Sequence, residues 1–247
     1  MPSLSSVLLA SSIVTSALSL PGNLVARQSA SANVVATATV GATVPTASVA
    51  AAVQGCVGVN TGGATYNDIV NGLPCKAFTL IFARGTFQSG NIGGIVGPPF
   101  VAALNARIGA ANVAVQGVND YPADVAGFNA GGSATGSTNM AALIEQTMTQ
   151  CPNTKLCVSG YSQGAQVAHN AADMISANAT AFINSAVLWG DPDLGEAFGS
   201  VPASKVSTDC HLGDDICLGG NLILPPHLGY CRDAGMEADF AISQAGL

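Results

Sequence analysis

Apolar residues along this chain fall into two patterns: short unbroken runs, and stretches in which they recur every three or four positions. Residues 77–83 (Ala-Phe-Thr-Leu-Ile-Phe-Ala), 112–117 (Asn-Val-Ala-Val-Gln-Gly), 156–158 (Leu-Cys-Val) and 185–189 (Ser-Ala-Val-Leu-Trp) are of the first kind. They are strand-length and are expected to form buried strands. Helices are expected over about 98–108 and 165–172, and a last one over about 233–244. Ser137 is expected to cap another helix, whose apolar face is Met140, Leu143, Ile144 and Met148. Uniformly apolar strands alternating with amphipathic helices imply a three-layer α/β fold with a central, mostly parallel sheet covered on both faces. The functional site of such a sheet lies at the carboxyl ends of its strands.

The first 54 residues break both patterns. From Val7 to Leu20 the chain is apolar or Ser/Thr, with small residues Ser16 and Ala17 near a cleavage point, so residues 1–20 are expected to be a secretory signal. No Lys or Arg precedes the run, which leaves only the amino terminus as positive charge. The run is shorter and richer in Ser than the roughly 20 apolar residues a membrane span needs, and no stable membrane insertion is expected. Residues 21–54 hold one charge, Arg27, among repeated Ala, Val, Thr and Ser. This is a low-complexity leader or pro-segment, in which Arg27 marks a processing site or is an ordinary linker residue. The folded domain is expected over 55–247, with no repeat of fixed period.

Composition narrows the class. Of 247 residues, 49% are hydrophobic and only 9% charged, and the net charge is −7. A core is easily built, and an acidic surface repels phosphate backbones, which excludes nucleic acid as a partner. Seven cysteines, all beyond the expected signal, point to an oxidising compartment and hence to export. Their odd number leaves one unpaired, and Cys157, inside a predicted strand, is the choice for a buried thiol. No Cys-x-x-Cys or close His/Cys cluster is present, so neither metal nor cofactor is implied.

The candidate chemistry centres on Gly160-Tyr161-Ser162-Gln163-Gly164, set between a predicted strand and a predicted helix. That is the context of a nucleophile elbow, a tight turn that lifts one serine hydroxyl above the sheet edge, as in the α/β-hydrolases. A serine hydroxyl needs a general base, almost always His, oriented by a carboxylate. Of three histidines, His169 lies seven residues up the helix from Ser162, roughly 10 Å along its axis. His211, beside Cys210 and just before Asp214 and Asp215, is expected in a solvated loop. His227, in Leu-Pro-Pro-His-Leu-Gly-Tyr, completes the chain order serine, acid, histidine. For the acid, Asp214 sits in a loop that a Cys210 to Cys217 bond would close; Asp215 beside it and Asp191 at a strand end are rivals.

These landmarks resemble a known family. Cys75, Phe82-Ala83-Arg84-Gly85-Thr86, Cys151-Pro152, the serine motif, Cys210-x2-Gly-Asp-x2-Cys217 and Pro226-His227-Leu228 occur in the order found in fungal cutinases, within the wider cutinase and acetylxylan esterase family of serine esterases. The resemblance runs from about Cys56 to the C-terminus. It implies a triad of Ser162, Asp214 and His227, disulfides Cys75–Cys151 and Cys210–Cys217, and an oxyanion hole from Thr86 and the Gln163 amide. Cutinases usually carry Ser at the position of Thr86, often followed by Thr-Glu, where this chain has Phe87-Gln88; any loop hydrogen bond made by that glutamate is therefore open. Cys56 and Cys231 remain as a third pair. If His227 reaches Ser162, then Phe87, Tyr161, Ile223, Leu224 and Leu228 surround the serine as an apolar substrate rim without a lid. Such a rim suits a polymeric or lipid-like ester, cutin-like polyester or short to medium acyl chains, better than a sugar acetate. Acetylxylan esterase is the alternative enzyme, and a secreted, non-catalytic binding protein on the same scaffold the alternative of another class. A monomer is expected.

Overall fold

The computed structural model describes residues 64–247; the expected signal, the leader and Cys56 lie outside the described residues. Five strands form one sheet: β1 (Phe78–Ala83), β2 (Val113–Gly117), β3 (Lys155–Tyr161), β4 (Ile183–Trp189) and β5 (Val206–Asp209). Their order is β2-β1-β3-β4-β5 and every pairing is parallel. The helices are α1 (Gly97–Ile108), α2 (Val125–Asn129), α3 (Ala134–Gln150), α4 (Gln163–Met174), α5 (Ala177–Phe182) and α6 (Ala234–Ala245). The three-layer α/β architecture expected from the sequence is the one found.

The period-2 geometry of a strand explains the two cores. On β1, Phe78, Leu80 and Phe82 face one side and Ile81 and Ala83 the other, and all are fully buried. The first set joins a cluster with Phe100 and Leu104 of α1 and Ala238 and Ala241 of α6. The second joins Met140 and Ile144 of α3 and Val167 and Ala168 of α4. Both faces are thus covered, as a parallel sheet requires. Trp189, the last residue of β4, is buried edge-to-face on Phe100 (centroids 5.2 Å apart), and its indole N–H donates to Ser159 Oγ at 3.0 Å.

Several expected boundaries move. Helix α3 is capped by Ser133, whose Oγ accepts the Gly136 N–H at 3.2 Å. Ser137 lies one turn inside the helix and donates to the Ser133 carbonyl. Two serines four residues apart both fit a capping pattern, and the Gly131-Gly132 pair with φ of 79° and 107° fixes which one starts the helix. Strand β5 and helices α2 and α5 are additions to the expected elements.

Chain order gives the site its place. The chain builds β1, steps outward to β2, then returns to add β3 on the opposite side of β1. The helical connections therefore leave the sheet in opposite directions beyond the carboxyl ends of β1 and β3, opening a crevice there. Thr86 follows the first of these strands by three residues and Ser162 follows the second by one. The disulfides Cys75–Cys151 and Cys210–Cys217 are present, with Cα separations of 5.4 and 6.1 Å. Cys231 is also disulfide-bonded, and its expected partner Cys56 lies outside the described residues. Cys157 is a buried free thiol, its pKa pushed up to about 12 by desolvation.

Candidate active site

The turn after β3 is set by contact distances. A Cβ on Gly160 would stand 2.1 Å from the Gly164 carbonyl oxygen, and one on Gly164 would stand 2.1 Å from that of Ala83. Between them Ser162 adopts φ 57° and ψ −125°, a conformation that a non-glycine residue keeps only where its surroundings enforce it. The Ser162 amide donates to the Trp189 carbonyl at 2.9 Å, tying the turn to the end of β4. Helix α4 begins at the next residue, so the Gln163 amide belongs to the first-turn donors that have no acceptor within the helix.

The loop after β1 is held beside this turn by polar side chains. Gln163 Nε2 donates to Thr86 Oγ1 at 2.8 Å and to the Asp124 carbonyl at 2.6 Å. A hydroxyl that accepts one bond keeps its own hydrogen to give elsewhere. Gln88 Oε1 accepts the Gly85 N–H at 3.1 Å, so glutamine supplies a loop hydrogen bond at the position where cutinases often have glutamate. Arg84 donates to the carbonyls of Gln88 (2.7 Å) and Tyr121 (2.5 Å) and lies 4.9 Å from the Tyr121 ring centroid.

On the other wall, His227 sits in a 3₁₀ turn, Pro225–Leu228. Its Nδ1 is 2.8 Å from Asp214 Oδ2, and both residues are only 1% exposed. Asp214 Oδ1 accepts the Ile216 N–H at 3.0 Å, and the Tyr230 hydroxyl donates to Oδ2 at 2.5 Å. Burial opposes ionisation of Asp214, but the bonds from His227 and Tyr230 outweigh it and hold the carboxyl below its usual range. Stability from this group is therefore full above the unfolded carboxylate value, ~3.9, and is lost as pH falls through the depressed folded value. His227 Nε2 is buried with no hydrogen-bond partner.

The rival acids are engaged elsewhere. Asp215 accepts the Leu222 N–H at 2.9 Å and braces the following loop. Asp191 is 3.0 Å from Nε2 of His169, which lies within α4. His211, expected in a solvated loop, is instead half-buried: its ring stacks on Tyr230 with centroids 4.0 Å apart, and its Nε2 is 2.6 Å from Asp233 Oδ2. The sequence places His211 beside Asp214 and Asp215, whereas the packing turns it toward the segment after His227. Asp209, His211 and Asp233 offer ligand-type atoms within 4.8 Å of one another, and the His211–Asp233 contact already uses two of them.

Ser162 and His227 line one cavity of about 340 Å³ together with Thr86, Phe87, Ile223 and Leu228. Ile95, Val125, Phe128 and Ile216, which the sequence did not single out, add to its apolar wall. The signal for two of them was the Asp124 N-cap, whose side chain accepts the Gly127 N–H, followed by apolar residues three apart. Phe87 (78% exposed) and Ile223 (56% exposed) form the outer rim. Leu224 departs from its expected place: it does not line the cavity, and its carbonyl accepts the His227 N–H at 3.0 Å. Tyr161 reaches the wall but is buried; its ring stacks on His227 (5.1 Å) and its hydroxyl donates to the His227 carbonyl at 2.8 Å.

An all-parallel sheet, a serine at a strand-to-helix elbow and a buried histidine–carboxylate pair on the same crevice define an α/β-hydrolase. Comparison with known proteins gives the family. Residues 74–245 match the Cutinase family model, and the chain belongs to the cutinase family of carboxylic ester hydrolases. It is 50% identical over 173 residues to the cutinase of Botryotinia fuckeliana, covering 70% of this chain and 85% of that one. Among solved structures it is similar to Trichoderma reesei cutinase in complex with a C11Y4 phosphonate inhibitor (40% identity, TM-score 0.69, 81% of this chain and 90% of that one). The catalytic core domain of acetyl xylan esterase from Trichoderma reesei is more distant (26% identity, TM-score 0.53, 69% and 100% covered). Among the described residues no helix is long and apolar enough to cross a membrane.

Proposed function

We propose that the chain is a secreted serine esterase that cleaves cutin-like polyester or esters of short to medium acyl chains through an acyl-enzyme on Ser162. The observation that carries this reading is the free Nε2 of His227, buried on the wall it shares with Ser162 while Asp214 holds Nδ1 at 2.8 Å. With Nδ1–H donated to the carboxylate, Nε2 keeps the lone pair of a general base. Ser162 attacks the ester carbonyl as His227 takes its proton, and Asp214 stabilises the imidazolium. His227 returns that proton to the departing alkoxide, and water repeats the cycle on the acyl-enzyme to release the acid. Tyr161 and Tyr230 brace the histidine and the carboxylate from behind.

In this reading the amides of Thr86 and Gln163 and the Thr86 hydroxyl stabilise the developing oxyanion; the bond from the Gln163 side chain to Thr86 Oγ1 supports the hydroxyl's part in it. Thr86→Val keeps the shape and removes one donor. Steady-state kinetics on p-nitrophenyl butyrate are expected to show kcat lower by about 10²–10³-fold with little change in KM.

The apolar wall of Phe87, Val125, Phe128, Ile223 and Leu228 supports an acyl or polyester substrate. Export rests on the apolar run at 7–20 and on the cysteine content. Initial rates across a p-nitrophenyl ester series, with acetate release from acetylated xylan in parallel, test the substrate class. Butyrate and longer esters are expected to outrun acetate, with little release from xylan; the reverse order would assign the chain to acetylxylan hydrolysis.

A further inference from the structure

Behind the turn that carries His227 lies a group of titratable side chains for which the proposed reaction has no use. His211 Nδ1 is 2.8 Å from the Pro226 carbonyl oxygen, and its Nε2 is 2.6 Å from Asp233 Oδ2. A carbonyl oxygen only accepts hydrogen bonds, and so does a carboxylate, so the two contacts together call for a proton on each ring nitrogen, the imidazolium form. Its surroundings suit that charge: Asp233 at the start of α6, Asp209 at the end of β5, and the face of Tyr230 at 4.0 Å. The charged and titratable groups beyond Tyr230 are Asp214 and His227.

Three of the His211 contacts bear on the triad. Pro226 is the residue immediately before His227. The His211 amide donates to the Tyr230 hydroxyl at 3.1 Å, and that hydroxyl donates onward to Asp214 Oδ2, the oxygen that also faces His227. The ring plane of His211 backs the Tyr230 ring. We propose that His211, paired with Asp233, is a positioning residue for the esterase reaction, clamping the Pro226–Tyr230 turn so that His227 stays over Ser162. The inference rests on the proposed triad and concerns how it is held.

The clamp has a pH signature. Burial works against the charge on His211, but the bonds from Asp233 and Pro226 outweigh it and raise the pKa above its ordinary value. Its contribution is complete below the unfolded histidine value of about 6.5 and is lost as pH rises through the raised folded value. Above that point one ring N–H is gone and either Pro226 or Asp233 loses its donor. Activity should therefore decline on the alkaline side because the turn loosens.

The test measures kcat and KM on p-nitrophenyl butyrate between pH 6 and pH 10 for the wild type, His211→Phe and Asp233→Asn. Thermal unfolding and fluorophosphonate labelling of Ser162 are followed in each. In His211→Phe, kcat is expected to fall between about tenfold and about a hundredfold with KM within about twofold, and the alkaline decline should vanish. In Asp233→Asn the ring keeps its place but loses its countercharge, so the decline should move to lower pH. Folded variants with wild-type kcat and an unmoved alkaline limb would overturn the clamp. If His211→Phe does not fold, an unmoved limb in Asp233→Asn overturns it alone. Absent labelling of Ser162 in the wild type would instead remove the triad reading itself, so the two failures are distinguishable.

Discussion

Ser162→Ala is expected to lower kcat on soluble esters by about 10⁶-fold while the protein keeps its fold, since loss of the nucleophile in a triad that works as a unit removes nearly all of its effect. The magnitude follows from the geometry of the turn. The strained backbone at Ser162, the contacts that require Gly160 and Gly164, and the bond from the Ser162 amide to Trp189 all serve to present one hydroxyl. No neighbouring residue can stand in for it: Gln163 is committed to Thr86 and Asp124, and Tyr161 to the His227 carbonyl. Stopped-flow and long-time assays, with circular dichroism as the control for fold, decide the matter. Activity within about tenfold of wild type would place the nucleophile elsewhere.

Asp214→Asn should be nearly as severe, with kcat reduced by about 10⁴-fold near neutral pH. The side chain keeps its size, so the buried loop closed by Cys210–Cys217 need not collapse. The amide, however, can turn an N–H toward His227 Nδ1, which drives the proton onto Nε2 and removes the lone pair meant for the serine. It also takes away the charge that stabilises the imidazolium. The Ile216 N–H, which donates to Oδ1 in the wild type and cannot accept, holds the amide oxygen at that position and so puts the amide nitrogen where Oδ2 faces His227, while the Tyr230 hydroxyl can turn to accept. Recovery of most of the lost rate at neutral pH would argue for another acid, and Asp191 and Asp215 are already engaged with His169 and Leu222.

What could be read from the chain, and what could not, divides along physical lines. The elbow was legible because its five-residue motif is local, between a strand and a helix that declare themselves in sequence; Gly160 is fixed by Gly164 within the motif, whereas the contact that requires Gly164 comes from Ala83 at the end of β1. The four apolar strands were legible because both of their faces are buried. Strand β5 carries no such signal, because Val206-Ser-Thr-Asp is half polar and only alternately buried, as befits a sheet edge. The helix cap slipped from Ser133 to Ser137 because two serines compete within one turn. Asp214 and Asp215 cannot be told apart by spacing, since a single residue's rotation in a turn decides which carboxyl faces His227. The burial of His211 is not legible for a related reason: its partners Tyr230 and Asp233 lie 19 and 22 positions away, beyond any local pattern. Leu224 was drawn to the rim by its apolarity, yet its backbone, not its side chain, serves the histidine.

The central claim is that His227 activates Ser162 as the residue that becomes acylated. Intact-mass and peptide mass spectrometry after exposure to diethyl p-nitrophenyl phosphate tests it most directly. The account predicts a single phosphoryl adduct on the peptide holding Ser162, appearing in step with the loss of esterase activity and suppressed in His227→Ala. Full esterase activity with Ser162 unmodified would contradict it.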